Sequence, residues 1–307
     1  MDNNSSRNNT IAKNTFLLYL RSLFGLAVSL YTSRIVLNSL GIDDYGIYNV
    51  VGGMVAMFSL LSNSLSTAIS RYLTFELGKE NIDKLRTIFS SSVVIQTGLA
   101  LFILLLVEIF GICFLNLYIN IPAGRLEAAH WALQCSAITF AVGLISIPYN
   151  ATIIAHEKMV FFAYISILEQ VLKLIVAYLL YISPFDKLKI YAFLLVIVSI
   201  LIRAIYGMYC KRQFEECNGK IIIDKSFIRQ MVDFAGWNFL GAGSGVLMTQ
   251  GVNILMNLFF TVAVNAARGV ATQIEGVVMS FVNNFTTAIN PQITKSYASG
   301  DREYLFQ

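Results

Sequence analysis

Thr67-Ala68-Ile69-Ser70-Arg71-Tyr72-Leu73-Thr74 returns, altered, as Thr287-Ala288-Ile289-Asn290-Pro291-Gln292-Ile293-Thr294. The offset is 287 − 67 = 220 residues, and without a gap it also pairs Val50 with Val270 and Asn63 with Asn283. Both stretches close the second long apolar segment after a polar start. A repeat of that length is several helices long. The chain therefore reads as one complete lobe plus the beginning of a second, stopping at Gln307 short of a second full lobe.

Composition says which solvent the lobes meet. Hydrophobic residues make up 56% of the 307 and charged residues 13%, and the mean hydropathy is +0.66. Soluble domains carry about 25% charged residues, so this chain is built for a bilayer. Apolar runs predict eight helical spans, at 14–38, 46–70, 88–115, 128–154, 160–183, 187–209, 230–260 and 263–290. Crossing a bilayer core takes about 20 helical residues. The polar, Asn-rich start from Met1 to Thr10 is not a cleavable signal peptide.

With the N-terminus in the cytoplasm, fourteen of the 22 Lys and Arg fall in inside segments and three (Arg125, Lys187, Lys189) in outside loops. That asymmetry predicts the orientation. Spans one and seven then both run outward, so the repeat is parallel, about an axis along the membrane normal. The expected organisation is a six-helix lobe over 1–210, a cytoplasmic linker over 211–229 (KRQFEECNGKIIIDKSFIR), and two helices of a second lobe over 230–307.

Five basic residues fall inside spans: Arg21, Arg34, Lys173, Arg203 and Arg268. Each would cost about 2.5–3.5 kcal/mol at a helix centre, so most need a wet cavity or a partner. Arg34 and Arg203 lie near span ends, where a long side chain snorkels to the interface. Lys173 follows Glu169 by four residues, a spacing that pairs them on one face. Arg21 shares a face with Asn14 and Thr32 to within about 20°. Asn265, Arg268, Thr272, Glu275, Thr286 and Asn290 form a second polar stripe within about 60°. Such stripes turn toward a cavity or hydrogen-bond between helices. Gly241, Gly243 and Gly245 in span seven either admit a close neighbour or make the helix a hinge.

Several chemistries are excluded. The sequence has no Gly-x-x-x-x-Gly-Lys-Ser/Thr loop, His130 and His156 stand far apart, and Cys113, Cys135, Cys210 and Cys217 lack metal-ligand spacing. No metal or other cofactor and no enzymatic activity is expected. A net charge of +4 does not point to nucleic acid. Asp43-Asp44 in the first outside loop is read as a helix cap. The competing reading is the acidic motif of a membrane glycosyltransferase that uses lipid-linked sugars.

Ser33-Arg34-Ile35-Val36-Leu37, then Leu40-Gly41 and Asp44-Tyr45-Gly46-Ile47-Tyr48, resembles the first hairpin of bacterial polysaccharide repeat-unit flippases. These are O-antigen and capsule translocases of the MATE-like multidrug/oligosaccharidyl-lipid/polysaccharide exporter superfamily. Asn257, Asn265-Ala266-Ala267-Arg268-Gly269, Asn283-Asn284-Phe285 and Pro291-Gln292-Ile293-Thr294-Lys295 are similar to their eighth helix. The resemblance implies an all-α polytopic fold of two lobes, of which this chain holds the first six helices and two of the second. It implies multi-pass residence in the bacterial inner membrane, and movement of an undecaprenyl-pyrophosphate-linked oligosaccharide to the outer leaflet for lipopolysaccharide or other surface polysaccharide. Its partners would be that lipid-linked oligosaccharide, membrane lipids and a polysaccharide polymerase. Arg21 and Arg268 would bind pyrophosphate on facing helices, beside Asn14 and Thr272, with Glu275 for ion coupling. A cation-coupled multidrug exporter of the same superfamily is the alternative.

Overall fold

A glycine decides where the first long helix turns back. The computed structural model describes residues 2–117, 121, 124–218, 222, 224–259 and 262–300, with the side chains of 2–11, 56, 60–61, 114, 117, 235, 238–239, 242, 246–247, 249–274 and 276–277 outside the description. Helix α1 (Asp2–Ala56) is broken at Gly41, whose φ of 80° and ψ of 173° suit only a residue without Cβ. Unbroken, 55 residues would run roughly 80 Å, far beyond a bilayer core of about 30 Å. The break makes an outgoing and a returning leg. The return is interrupted again at Met57-Phe58 and completed by α2 (Ser59–Gly78).

Helix α3 (Ile82–Leu106) passes through a π turn (Val107–Gly111) into α4 (Ile112–Leu117). Helices α5 (Leu126–Ala155), α6 (Met159–Ile182) and α7 (Lys187–Gln213) complete the first lobe. A 3₁₀ turn (Glu215–Asn218) leads to α8 (Lys225–Phe259) and α9 (Val262–Ser299) of the second. Among the described residues there is no strand, and five helical stretches are long and apolar enough to cross a membrane, with both legs of α1 counted as one. The chain is an all-α polytopic membrane protein whose rods follow the order of the eight expected spans.

Boundaries differ where polarity misleads. Helix α7 continues to Gln213 and α8 starts at Lys225, so the expected linker 211–229 is helical at both ends. Helix α9 runs through Pro291 to Ser299, past the expected end at 290. The linker is pinned to the first lobe. Ser90 Oγ accepts from Ile222 N at 2.7 Å, and His156 Nε2 meets Glu216 Oε1 at 2.6 Å while stacking on Phe214. Burial pushes the Glu216 carboxyl up, but the His156 ring, a backbone amide and Arg86 together hold the group below its ordinary range.

Arg203 does not snorkel. Its guanidinium lies 3.7 Å from the Tyr149 ring centroid, in room left by Gly207, where a Cβ would come within 2.7 Å of Arg203 Nη1. The expected Lys173–Glu169 pair does form, at 2.6 Å. The cysteines are free, three of them buried.

The loops at the Gly41 end are tied by one arginine. Arg125 Nε donates to Asp44 Oδ1 at 2.7 Å, and its Nη1 donates to Asp186 Oδ2 at 2.6 Å. Asp186 also caps α7, accepting from Leu188 N and Lys189 N at 3.1 and 3.2 Å. Asp44, at the start of the returning leg of α1, thus serves an ion pair to the turn before α5, where a helix cap was expected. Partial burial raises the Asp186 carboxyl, yet Arg125 and the two amides together hold it below its usual range.

A depressed carboxylate contributes stability above its unfolded pKa of about 3.9 and loses it as pH falls through the folded value. Arg125→Ala leaves two carboxylates facing each other without a cation and should destabilise the lobe by about 1–3 kcal/mol at neutral pH. Thermal unfolding in detergent at pH 7 and below pH 4 checks this. The deficit should shrink at the lower pH, and an unchanged midpoint at pH 7 would refute the clamp.

Candidate functional site

The polar stripe of α1 is turned into protein. Asn14 and Thr32 are buried and Arg21 is partly buried, while Phe16, Leu20, Leu23 and Leu30 on the other side are exposed. Asn14 Nδ2 and Thr32 Oγ1 find no partner among the described residues. Buried polar atoms of this kind usually find a partner in protein or in ordered water.

Arg21 reaches across to the second lobe. Its Nη2 donates to Asn284 Oδ1 of α9 at 3.3 Å, and Asn284 Nδ2 donates to Ser22 Oγ at 2.7 Å. The guanidinium stands 4.8 Å from the Phe162 ring centroid on α6, and Tyr19 packs on Phe281 with ring centroids 5.0 Å apart. No carboxylate pairs with Arg21 among the described residues. A guanidinium held by a neutral amide and an aromatic face keeps its charge available for an anion.

The other expected residues are dispersed. Arg268 lies 284 − 268 = 16 residues before Asn284 on α9, roughly 24 Å along the axis, so the two arginines mark different depths. The side chains of Arg268 and Thr272 lie outside the described residues. Glu275 is exposed, nine residues from Asn284. Gly241, Gly243 and Gly245 lie in an uninterrupted α8, and a Cβ on any of them would meet nothing within 4 Å among the described residues.

The repeated stretches face each other. A cavity of about 410 Å³ is lined by Ser66, Thr67, Ser70, Arg71 and Thr74 of α2, by Thr287, Asn290, Pro291 and Thr294 of α9, and by Ile154 of α5. All but Ser66 and Ile154 fall into four pairs at the 220-residue offset. Beyond the cavity the helices cross at Gly78, where a Cβ would sit 2.7 Å from Lys295 O and 2.9 Å from Ala298 Cβ. Ala298 is itself the counterpart of Gly78, 78 + 220 = 298. Matched residues in contact place the pseudo-twofold axis at this crossing.

A bridge lies beside the crossing. Glu157, in the turn between α5 and α6, accepts from Lys295 Nζ at 2.7 Å and from Gln292 Nε2 at 2.9 Å. Sequence reading assigned no role to Glu157, and it placed Asn284 and Lys295 only within the motifs that resemble the family's eighth helix; Asn284 also replaces Ser64 at the matching position of the first copy.

The architecture is that of a two-lobed polytopic membrane transporter. Residues 20–179, more than half the chain, match the MatE family model, and the chain belongs to that family. It is similar to the MATE transporter VcmN of Vibrio cholerae, with a TM-score of 0.78 and 15% identity over all of this chain and 69% of the other. A MATE in the straight conformation gives 0.78 at 11% identity, over 98% of this chain and 67% of that one. A MOP superfamily transporter from Pyrococcus furiosus, whose binding pocket is described as having reverse polarity, gives 0.73 at 12% identity over 96% and 67%. At these identities the likeness establishes the fold alone. No curated protein matches the chain significantly.

Glu157→Ala removes the bridge and leaves Lys295 without its carboxylate. A single cysteine placed at Thr294, in a background with the four native cysteines replaced, should react several-fold faster with a water-soluble maleimide in that variant. Equal rates would show that the bridge does not hold the lobes together.

Proposed function

We propose that the protein moves an undecaprenyl-pyrophosphate-linked oligosaccharide across the bacterial inner membrane for surface polysaccharide synthesis. The observation that carries this reading is Arg21, a membrane-depth guanidinium at the lobe interface whose partners are Asn284 and Phe162 and no described carboxylate. A lipid carrier stays in the bilayer while its pyrophosphate needs a forked cationic donor. Arg21 takes that role, with Asn284 orienting the guanidinium and Asn14 on the same buried face. Arg268 and Thr272 would receive the anion at the opposite depth, and Glu275 would supply ion coupling. The glycines Gly241, Gly243 and Gly245 would let α8 flex between states.

The bridge and crossing at Glu157, Lys295 and Gly78 would then be the cytoplasmic closure. Lys79 and Lys158 in the turns, Lys84 and Arg86 at the start of α3 and Lys211 in the last turn of α7 lie at that end, in keeping with the positive-inside rule. Cation-coupled multidrug export, the second reading within this family, calls for an acidic or aromatic receptor. Arg71 and the hydroxyls of the interlobe cavity argue against it.

In cells dependent on this transporter for surface polysaccharide, Arg21→Ala should abolish the polymer and trap sugar-loaded carrier on the inner face, with the protein still in the membrane. Arg21→Lys should restore only part of it, because a point charge does not reproduce the fork. Normal polymer with Arg21→Ala would overturn the proposal, and altered drug tolerance with unchanged lipids would favour the second reading.

A further inference from the structure

We infer that a chamber between α3, α5 and the joint of the returning helix takes one acyl chain of a bilayer phospholipid. The site lies away from the contacts between the lobes, and it stands whatever the transported substrate is.

Two departures from regular helix build the chamber. The return from Gly41 breaks at Met57-Phe58, and α3 passes into the π turn Val107–Gly111. The wider i→i+5 ring of a π turn shifts the side chains beyond it around the helix axis. Met54, Met57 and Phe58 at the joint face Leu106 and Phe110 at the π turn, with Leu133 of α5 beside them, around a space of about 560 Å³. Gly111 lets α5 close the back wall, since a Cβ there would come 3.2 Å from Val107 Cγ1 and 3.3 Å from Leu133 Cδ2. The front is open, with Met57 77% and Phe110 65% exposed.

Chemistry and depth together name the occupant. Among the described residues lining the chamber, none carries a side-chain nitrogen or oxygen. Water, a sugar or a headgroup would find nothing to bond with there. Leu133 lies 133 − 125 = 8 residues from Arg125 on the α5 rod, roughly 12 Å below the clamp. That depth is inside the hydrocarbon, on the Gly41 side of the bilayer. The described contacts of these helices with the second lobe lie nearer the opposite end. Ser92 Oγ meets Met231 Sδ at 3.8 Å, 107 − 92 = 15 residues before Val107 on α3. Ile154, which lines the interlobe cavity, is 154 − 133 = 21 residues past Leu133 on α5. An apolar space at this depth forfeits dispersion contacts if left empty, and the molecules at hand to fill it are the flexible chains of neighbouring phospholipids. The isoprenoid of a lipid carrier is a poorer match, because a pyrophosphate on Arg21 anchors it at the lobe interface. A chain seated here wedges against Phe58. Its presence stiffens the joint, and its departure frees it.

The test uses the full chain in nanodiscs of phosphatidylethanolamine and phosphatidylglycerol, doped with a phosphatidylcholine carrying a diazirine in mid-chain. After illumination, peptide mapping should find adducts on Met54, Phe58 and Leu106 several-fold above those on Leu101 and Leu105. Those two leucines are 59% and 61% exposed, more than any of the three chamber residues, so contact with bulk lipid alone gives the reverse order. Met57→Trp lays a ring across the open front without altering the packed interior. It should lower the chamber adducts several-fold and leave those on Leu101 and Leu105 unchanged. Adducts that follow exposure, or chamber adducts that Met57→Trp does not reduce, overturn the site. A parallel sample doped with diazirine-bearing undecaprenyl phosphate separates the two kinds of chain. Chamber labelling by that probe in preference to the phospholipid overturns the acyl assignment.

Discussion

Two helices can bring their backbones together only where a side chain is missing, and Gly78 is where α2 meets α9. A methyl group there would press on the backbone of Lys295. The crossing sets the separation of the two lobes, and with it the width of the polar cavity beside it. It also brings Lys295 and Gln292 within reach of Glu157. Arg21 can bridge to Asn284 because the same approach carries α9 along the face of α1. Interhelical association in a bilayer relies on small residues and polar contacts, since lipid tails are as apolar as the helix surfaces. This interface uses both, the small residue at one end and the polar contacts above it.

The polar features divide by function. Arg125 with Asp44 and Asp186, and His156 with Glu216, are pairs of opposite charge that consolidate the first lobe and its linker. Arg21 and Arg71 differ in kind, because each lies against an aromatic ring with no described carboxylate beside it. Cations compensated by acids are settled, whereas cations resting on rings remain receptive.

Much of this was legible in the sequence, and the rest was hidden for identifiable reasons. The repeat, the order of rods, the Glu169–Lys173 pair and the buried face of Asn14, Arg21 and Thr32 follow from period and spacing, which are local properties. The Arg125 clamp gathers Asp44 from the returning leg of α1 with Arg125 and Asp186 from the turns before α5 and α7, each an ordinary polar residue when read by itself. Arg203 sits close enough to a helix end to suggest snorkelling, and only the neighbouring Tyr149 and Gly207 reveal the stacked alternative. Gly78 reads as a helix terminus until the opposing backbone is seen. Facing is a tertiary property, and a 220-residue offset states likeness without stating contact.

The duplicated halves have also diverged mechanically. In the first, the returning helix is jointed at Met57-Phe58, so its upper and lower pieces can bend separately. In the second, α9 runs from Val262 as a single strut of roughly 44 Å before it meets Pro291 near its end. Pushed from one end, a strut delivers its displacement to the other, and a jointed arm absorbs it. A molecule that began as two equal copies thus carries a stiff lever on one side of its axis and a compliant one on the other. Any motion between them will be lopsided.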